Sequence, residues 1–145
     1  MALTGAEMAD RLNSLVQVDI DAVHAYRQVM PLMGPGRVKD QLIRFQQDHE
    51  RHIDQLSAVV RALDSEPPVL VTDVEGLHIQ GFAAIGGATK PQSATEAVRA
   101  VEELANRLYR ESCALDFTPN IKELVRRNYG EEQRHLRYLE EVFFK

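Results

Sequence analysis

Six side chains that can ligate a metal ion occupy positions where the surrounding helical pattern calls for apolar residues. Residues three and four apart lie on one face of a helix, so apolar residues at those steps mark the face that turns inward. Burying an ionisable group without a partner costs several kcal/mol, and a bound metal ion offsets that cost. The six predicted metal-ligating residues are Asp19, His49, His52, Glu102, Glu132 and His135.

Four of these residues form two pairs with a spacing of three. His49 and His52 interrupt the apolar stripe of one helical stretch, and Glu132 and His135 interrupt that of another. This spacing points both members of a pair at a common point. The surrounding sequences, DHERHIDQL and EEQRHLRYL, share a register, which indicates a weak internal repeat.

The remaining two carboxylates fit the same repeat. Asp19 is followed by Tyr26 and Glu102 by Tyr109, in both cases seven residues later. A duplicated helical hairpin would place the first carboxylate–tyrosine pair against the second. The tyrosines are predicted to be core aromatics whose hydroxyls need a partner.

Four long helices are needed to position these groups. Capping boxes of the Ser/Thr-x-x-Glu type, at Thr4 and Ser93, precede the first and third, and Pro119 suits the first position of the fourth. The predicted helices run from Thr4 to the Gly34-Pro35-Gly36 breaker, from about Arg37 to Leu63, from Ser93 to about Asp116, and from Pro119 to the C-terminus.

The loop lengths predict the topology. Short loops make the first and second helices antiparallel neighbours, and likewise the third and fourth. The segment from about residue 64 to 92 is far longer than a usual helix–helix connection, and we expect a short helix in it around Asp73 to Ile85. Two helical hairpins joined by one long crossover form an all-α four-helix bundle, here a single domain of residues 1–145.

In helix order, loop lengths and the motifs QDHERHIDQL and GEEQRHLRYL, the chain resembles the ferritin-like superfamily, in particular its small bacterial members. The resemblance covers almost the whole chain. It implies a di-metal site built from one Glu on each of two helices and a Glu-x-x-His pair on each of the others. Asp19 and Glu102 match the lone carboxylates, and Glu132 with His135 matches one pair.

The other pair departs from this pattern, because His49 stands where the family usually has a carboxylate that bridges two metals. A histidine cannot bridge in that way, so we expect one metal ion to bind tightly and a second weakly or not at all. Asp48 and Glu50 should point away from the inward face, whereas Glu131 is the best candidate to orient a ligating histidine. Imidazole-rich sites suit iron, zinc, copper or nickel. We predict one or two iron ions, with zinc or manganese as alternatives.

The composition narrows the class of protein. The chain has 145 residues, a net charge of −5 and no basic run, which argues against nucleic acid as a partner. No apolar run approaches the roughly 20 residues that span a bilayer. The N-terminal stretch is a poor secretory signal, so a cytoplasmic location is predicted. The single cysteine, Cys113, excludes an intramolecular disulfide and a four-cysteine metal site.

Several functions fit these features. The resemblance implies ferroxidase activity or another oxidoreductase activity linked to O₂ or peroxide. The alternative is a non-catalytic, stress-related or structural bundle that binds one metal such as zinc, or none. A storage cage is weaker, because no fifth helix follows the fourth. We also expect a homodimer, with Leu15, Ile20 and Phe82 as apolar residues on the face that is buried between the two subunits.

Overall fold

The computed structural model describes residues 2–70 and 91–145. No strand occurs within these two ranges, and the all-α four-helix bundle is confirmed. The elements are helix α1 (Gly5–Val29), a 3₁₀ turn (Met30–Leu32), α2 (Arg37–Ala62), α3 (Pro91–Cys113) and α4 (Pro119–Phe143).

Local sequence signals set two of the helix starts as predicted. At α1, the Thr4 hydroxyl accepts a hydrogen bond from the Glu7 amide at 3.1 Å, and the Thr4 amide donates to the Glu7 carboxylate at 2.9 Å. This reciprocal pair satisfies amides that the first helical turn leaves without partners. At α4, Pro119 follows the N-cap Thr118, although that hydroxyl contacts Asn120 at 3.1 Å instead of capping the backbone.

Other predicted boundaries were wrong. Helix α3 begins at Pro91, so Ser93 lies inside the helix and is not its cap, and the helix ends at Cys113 instead of about Asp116. Proline has a fixed φ that suits the first position of a helix, which makes Pro91 the better start. Helix α1 gives way to the 3₁₀ turn before the glycine breaker, because Pro31 cannot donate an α-helical hydrogen bond.

Two further expectations lie outside the described residues. They are the short helix around Asp73 to Ile85 and the apolar surface position Phe82.

Neighbouring helices run antiparallel around the bundle. Helix α1 packs closely against α2 and α3, and α3 against α4, whereas α2 and α4 approach each other less closely. The direction of α1 and α3 follows from two contacts, since Tyr26 meets Glu102 and Asp19 meets Tyr109. No described helix is long and apolar enough to cross a membrane.

Burial follows the predicted inward faces in the central turns. Near the end of α4 the pattern weakens, and Val142 is 40% exposed. Helix α1 is buried on every side from Val18 to Tyr26, and Leu15 and Ile20 are only 1% and 3% exposed. These two residues therefore do not form an exposed dimer surface; the prediction assumed that α1 turns one face to solvent. The homodimer itself stays a prediction.

The capping box at α1 gives a test of local stabilisation. Thr4→Ala removes the side-chain acceptor and should lower the free energy of unfolding by about 1 kcal/mol. The matched control is Thr118→Ala at the N-cap of α4, where no side-chain hydrogen bond reaches the backbone. Chemical denaturation of both variants should show the larger loss for Thr4→Ala, and equal losses would contradict the assigned role.

Candidate metal centre

The structure brings the six predicted residues together at the centre of the bundle. Asp19 lies on α1, Glu102 on α3, and the two pairs on α2 and α4. Each of the six is 0% exposed. Their ligating atoms form two groups of four that share His49 and Glu132. These groups are Asp19, His49, His52 and Glu132, and His49, Glu102, Glu132 and His135.

Packing and backbone contacts hold the cluster in place. The Phe45 ring lies 4.3 Å from the His135 ring, centroid to centroid, and the His49 and His135 rings are 4.8 Å apart. The Asn106 amide donates to the backbone carbonyls of Glu102 at 2.8 Å and Glu132 at 2.9 Å. This side chain therefore fixes α3 against α4 at the level of the site.

The two tyrosines bind the lone carboxylates across the bundle. Tyr26 on α1 donates its hydroxyl to Glu102 on α3 at 2.6 Å, and Tyr109 on α3 donates to Asp19 on α1 at 2.5 Å. Both tyrosines are fully buried. Tyr109 binds Oδ2 of Asp19 and leaves Oδ1 to face His49, whereas Tyr26 binds Oε2 of Glu102, the oxygen that also faces His49. Each phenol thereby fixes the orientation of its carboxylate. The reciprocal placement expected from the internal repeat is thereby confirmed.

Two carboxylates at the edge of the site hold two of the histidines. Nε2 of His52 lies 2.7 Å from Glu131, and Nε2 of His135 lies 2.8 Å from Asp48. Arg51 pairs with both carboxylates, since one of its nitrogens is 3.2 Å from Asp48 and the other contacts Glu131. These contacts thus connect α2 with α4 at the surface, next to the buried histidines.

These contacts also determine which histidine nitrogen faces the cluster. An ionised carboxylate only accepts hydrogen bonds, so Nε2 of His52 and of His135 carries the proton. Nδ1 of each ring turns inward, 3.1 Å from Asp19 for His52 and 3.0 Å from Glu102 for His135. Histidines that ligate metals usually donate their other nitrogen in this way.

Electrostatic interactions within the cluster shift its pKa values strongly. Burial opposes the charge on His49, but Glu102 and hydrogen bonds to Asp19 and Glu102 outweigh it and raise the pKa of His49 to about 10. Burial also disfavours ionised Asp19, yet the His52 charge and hydrogen bonds from both imidazoles lower its pKa to about 2. In the metal-free protein Asp19 is therefore a carboxylate and His49 an imidazolium.

The pKa of Glu132 is shifted in the opposite direction to that of Asp19. Burial first, and then the charges of Glu102 and Asp19, raise the pKa of Glu132 well above its ordinary value. Its position between two carboxylates favours the neutral acid as long as no cation enters.

Several polar atoms of the cluster have no hydrogen-bond partner among the described residues. They are Oε1 of Glu102, Oε2 of Glu132 and Nδ1 of His135. Nδ1 of His135 is close to a Glu102 oxygen but is not aligned with it as a hydrogen bond. Buried polar atoms are rarely left without partners. Their oxygen and nitrogen types suit a divalent transition metal, so the donor set fits a metal ion.

The sequence pattern found the centre but missed one of its supports. Glu131 contacts His52 as expected for a residue that orients a histidine, and Glu50 points away from the cluster to an ion pair with Arg27 at 3.9 Å. Asp48 was expected to lie off the inward face, yet it reaches His135 on α4. The internal repeat contained the missing signal, because Asp48 and Glu131 each directly precede the first residue of a pair.

Comparison with known proteins establishes the family. Residues 7–115 match the family described as "Domain of unknown function (DUF2383)". The chain belongs to this family. Asp19, His49, His52 and Glu102 lie within the matched range. The chain matches none of the curated proteins in sequence.

A solved structure shares the fold of this DUF2383 member. It resembles bacterioferritin from Rhodobacter capsulatus with a TM-score of 0.69 and 21% sequence identity, over 97% of this chain and 85% of that one. That bacterioferritin was solved with a metal-free dinuclear site and a heme iron. The likeness shows that this chain has the ferritin-like four-helix-bundle fold that the resemblance in the motifs implied.

The unequal pKa values predict unequal effects of two neutralising substitutions in the metal-free protein. Asp19→Asn removes a charge that pairs with two imidazoles and should lower the free energy of unfolding by about 3–5 kcal/mol. Glu132→Gln resembles the neutral acid already favoured there and should change it by less than about 1 kcal/mol. Denaturation at neutral pH with a chelator present would measure both.

The size of the stability loss in Asp19→Asn depends on pH. The pKa of Asp19 is depressed in the folded state, so its contribution is fully present above its ordinary pKa and is lost as the pH falls toward about 2. The free energy of unfolding of the Asp19→Asn variant should therefore differ from that of wild type by less at acidic pH than at neutral pH. A Glu132→Gln variant that is less stable than Asp19→Asn at neutral pH would contradict the charge assignment.

Proposed function

We propose that the protein binds iron in the bundle core and oxidises Fe(II) with O₂ or peroxide. The observation that carries the proposal is the set of six fully buried ligating groups, four of which are held by a tyrosine or an outer carboxylate. A core held by hydrogen bonds alone would not leave Oε1 of Glu102, Oε2 of Glu132 and Nδ1 of His135 without a hydrogen-bond partner among the described residues. Iron, when bound, would supply the redox chemistry.

The protein residues would bind the ion, orient its ligands and limit access to it. Tyr26 and Tyr109 fix the two lone carboxylates, so these ligands need little rearrangement when a cation arrives. Asp48 and Glu131, whose side chains are 22% and 17% exposed, connect the buried histidines with solvent. A cation approaching between α2 and α4 would meet these two carboxylates first, and Arg51 limits their negative charge.

The second candidate is a non-catalytic bundle that holds one metal ion such as zinc. His49 favours it, because two imidazoles and two carboxylates in each group of four also suit a tetrahedral zinc site. The two candidates differ in redox activity. The predicted cytoplasmic location and homodimer are compatible with both.

Metal analysis of freshly purified protein, followed by an assay of Fe(II) oxidation in air, tests the proposal. Iron in the isolated protein, and oxidation faster than in protein-free buffer, is the expected result. Tight binding of zinc without faster oxidation would favour the second candidate. Protein that binds neither metal would leave a hydrogen-bonded polar core and overturn both.

The outer carboxylates provide variants that leave all six central residues intact. Asp48→Asn and Glu131→Gln weaken the acceptors that orient two histidines, so each should lower Fe(II) affinity about 10- to 100-fold. Asp54→Asn on α2 and Glu140→Gln on α4 are matched controls, because both residues are exposed. Anaerobic titration with Fe(II) should show lower affinity for the two outer-carboxylate variants than for the two controls. Unchanged affinity in Asp48→Asn and Glu131→Gln would show that these contacts do not support ligation.

Binding should also depend on pH in a defined direction. The raised pKa values of His49 and Glu132 mean that protons compete with the metal at neutral pH. Apparent zinc affinity should therefore rise steadily from about pH 6 to pH 8, since a metal displaces those protons. Circular dichroism over the same range controls for unfolding. An affinity that does not change with pH would place the metal away from these two residues.

A further inference from the structure

His49 is the residue at which the sequence departs from the expected pattern, and its ring spans both halves of the site. Nδ1 lies 2.7 Å from Oδ1 of Asp19 and 3.3 Å from Oε1 of Glu132. Nε2, on the other side of the ring, lies 3.1 Å from Oε2 of Glu102. The ring is fully buried, so neither nitrogen reaches solvent.

The atoms around Nδ1 form one four-atom set, defined here as the first set. It contains Nδ1 of His49, Nδ1 of His52, Oδ1 of Asp19 and Oε1 of Glu132, and His52 Nδ1 lies 3.1 Å from each of these two oxygens. In a tetrahedral site with bonds of about 2.0–2.1 Å, ligand atoms lie about 3.3 Å apart. Distances from 2.7 to 3.3 Å therefore need only a slight expansion to admit a metal ion.

The atoms around Nε2 form the second set. It contains Nε2 of His49, Nδ1 of His135, Oε2 of Glu102 and Oε2 of Glu132. His135 Nδ1 lies 3.0 Å from the Glu102 oxygen and 3.5 Å from the Glu132 oxygen. Each set thus combines two imidazole nitrogens with two carboxylate oxygens. His49 and Glu132 are common to both and use opposite atoms in each.

We infer that His49 bridges two metal ions as an imidazolate, with Nδ1 bound to the ion in the first set and Nε2 to the ion in the second. This inference rests on the proposed metal-binding function. In the metal-free protein both ring nitrogens face carboxylate oxygens, which places a proton on each. Each arriving ion forms one metal–nitrogen bond with His49 and releases one of these ring protons to solvent. Glu132 also releases its carboxyl proton to solvent when it ligates, and no electron is transferred.

Charge balance supports the bridge. The carboxylates Asp19, Glu102 and Glu132 carry three negative charges when ionised, against four positive charges for two divalent ions. A neutral histidine would leave one positive charge in the buried core, which is costly. The imidazolate of His49 supplies the fourth negative charge. The sequence predicts one tight ion because a histidine cannot bridge as a carboxylate does, whereas an imidazolate bridges through its two ring nitrogens.

The separation of two bound ions tests the bridge directly. Zinc is a suitable probe, because it takes four nitrogen and oxygen ligands and has no redox chemistry. The full-length protein loaded with two equivalents of zinc should show two ions about 6 Å apart by anomalous diffraction, since a metal–nitrogen bond of about 2.0 Å extends from each side of the ring. At this separation Glu132 ligates one of the two ions and does not bridge them. Carboxylate-bridged ions would instead lie about 3.5–4 Å apart.

Three variants sharpen this measurement. His49→Gln removes the second ring nitrogen and should reduce the zinc content from two ions to one. His49→Glu should keep two ions but shorten their separation to about 4 Å. A comparison variant, His52→Gln, removes a histidine that belongs to the first set alone, so the ion that it retains should lie in the second set, between Glu102 and His135. If a variant fails to fold, the wild-type separation still decides the question.

Several outcomes would overturn the inference. Two wild-type ions about 4 Å apart would make Glu132 the bridge, and a single ion with the other His49 nitrogen still hydrogen-bonded would make His49 an ordinary ligand. Both results leave the proposed metal binding intact. Failure to bind either zinc or anaerobic Fe(II) would overturn the bridge together with the proposed function.

Discussion

The structure depends on the mutual neutralisation of ionisable groups that the bundle buries at its centre. Burying any one of the six without a partner would cost several kcal/mol, a large part of the net stability of a domain this size. The cost is reduced because the imidazoles of His49 and His52 contact the carboxylates of Asp19 and Glu102. The four helices therefore pack stably only in the register that brings these side chains into contact.

That register explains the reciprocal arrangement of the site. Each carboxylate–tyrosine pair spans two helical turns, and the antiparallel packing of α1 and α3 brings each tyrosine to the opposite carboxylate. The same relation on α2 and α4 brings Asp48 to His135 and Glu131 to His52. A shift of one turn between α1 and α3 would separate the first two contacts, and the same shift between α2 and α4 would separate the other two. The polar core thus specifies helix alignment, which apolar packing alone leaves less defined.

Features that depend on a single helix were predicted well from the sequence. Spacing of three and four identified the inward residues, and the capping box located the start of α1. Contacts between helices were harder to predict, as Asp48 shows, because a residue beside the inward face can reach a neighbouring helix that approaches on that side. Leu15 and Ile20 failed for a related reason, since the pattern within α1 does not reveal how completely its surroundings cover it.

His49 bears on both the stability of the metal-free core and the ability of the core to bind cations. A carboxylate there would place four acidic groups within one buried cluster, and without metal these would repel one another. The imidazolium of His49, with its pKa raised to about 10, instead donates to Asp19 and Glu102 and neutralises part of that charge. The same ring would release these protons to solvent when cations bind on either side of it. The metal-free bundle is thereby stabilised by interactions in which two protons occupy the positions that metal ions would take.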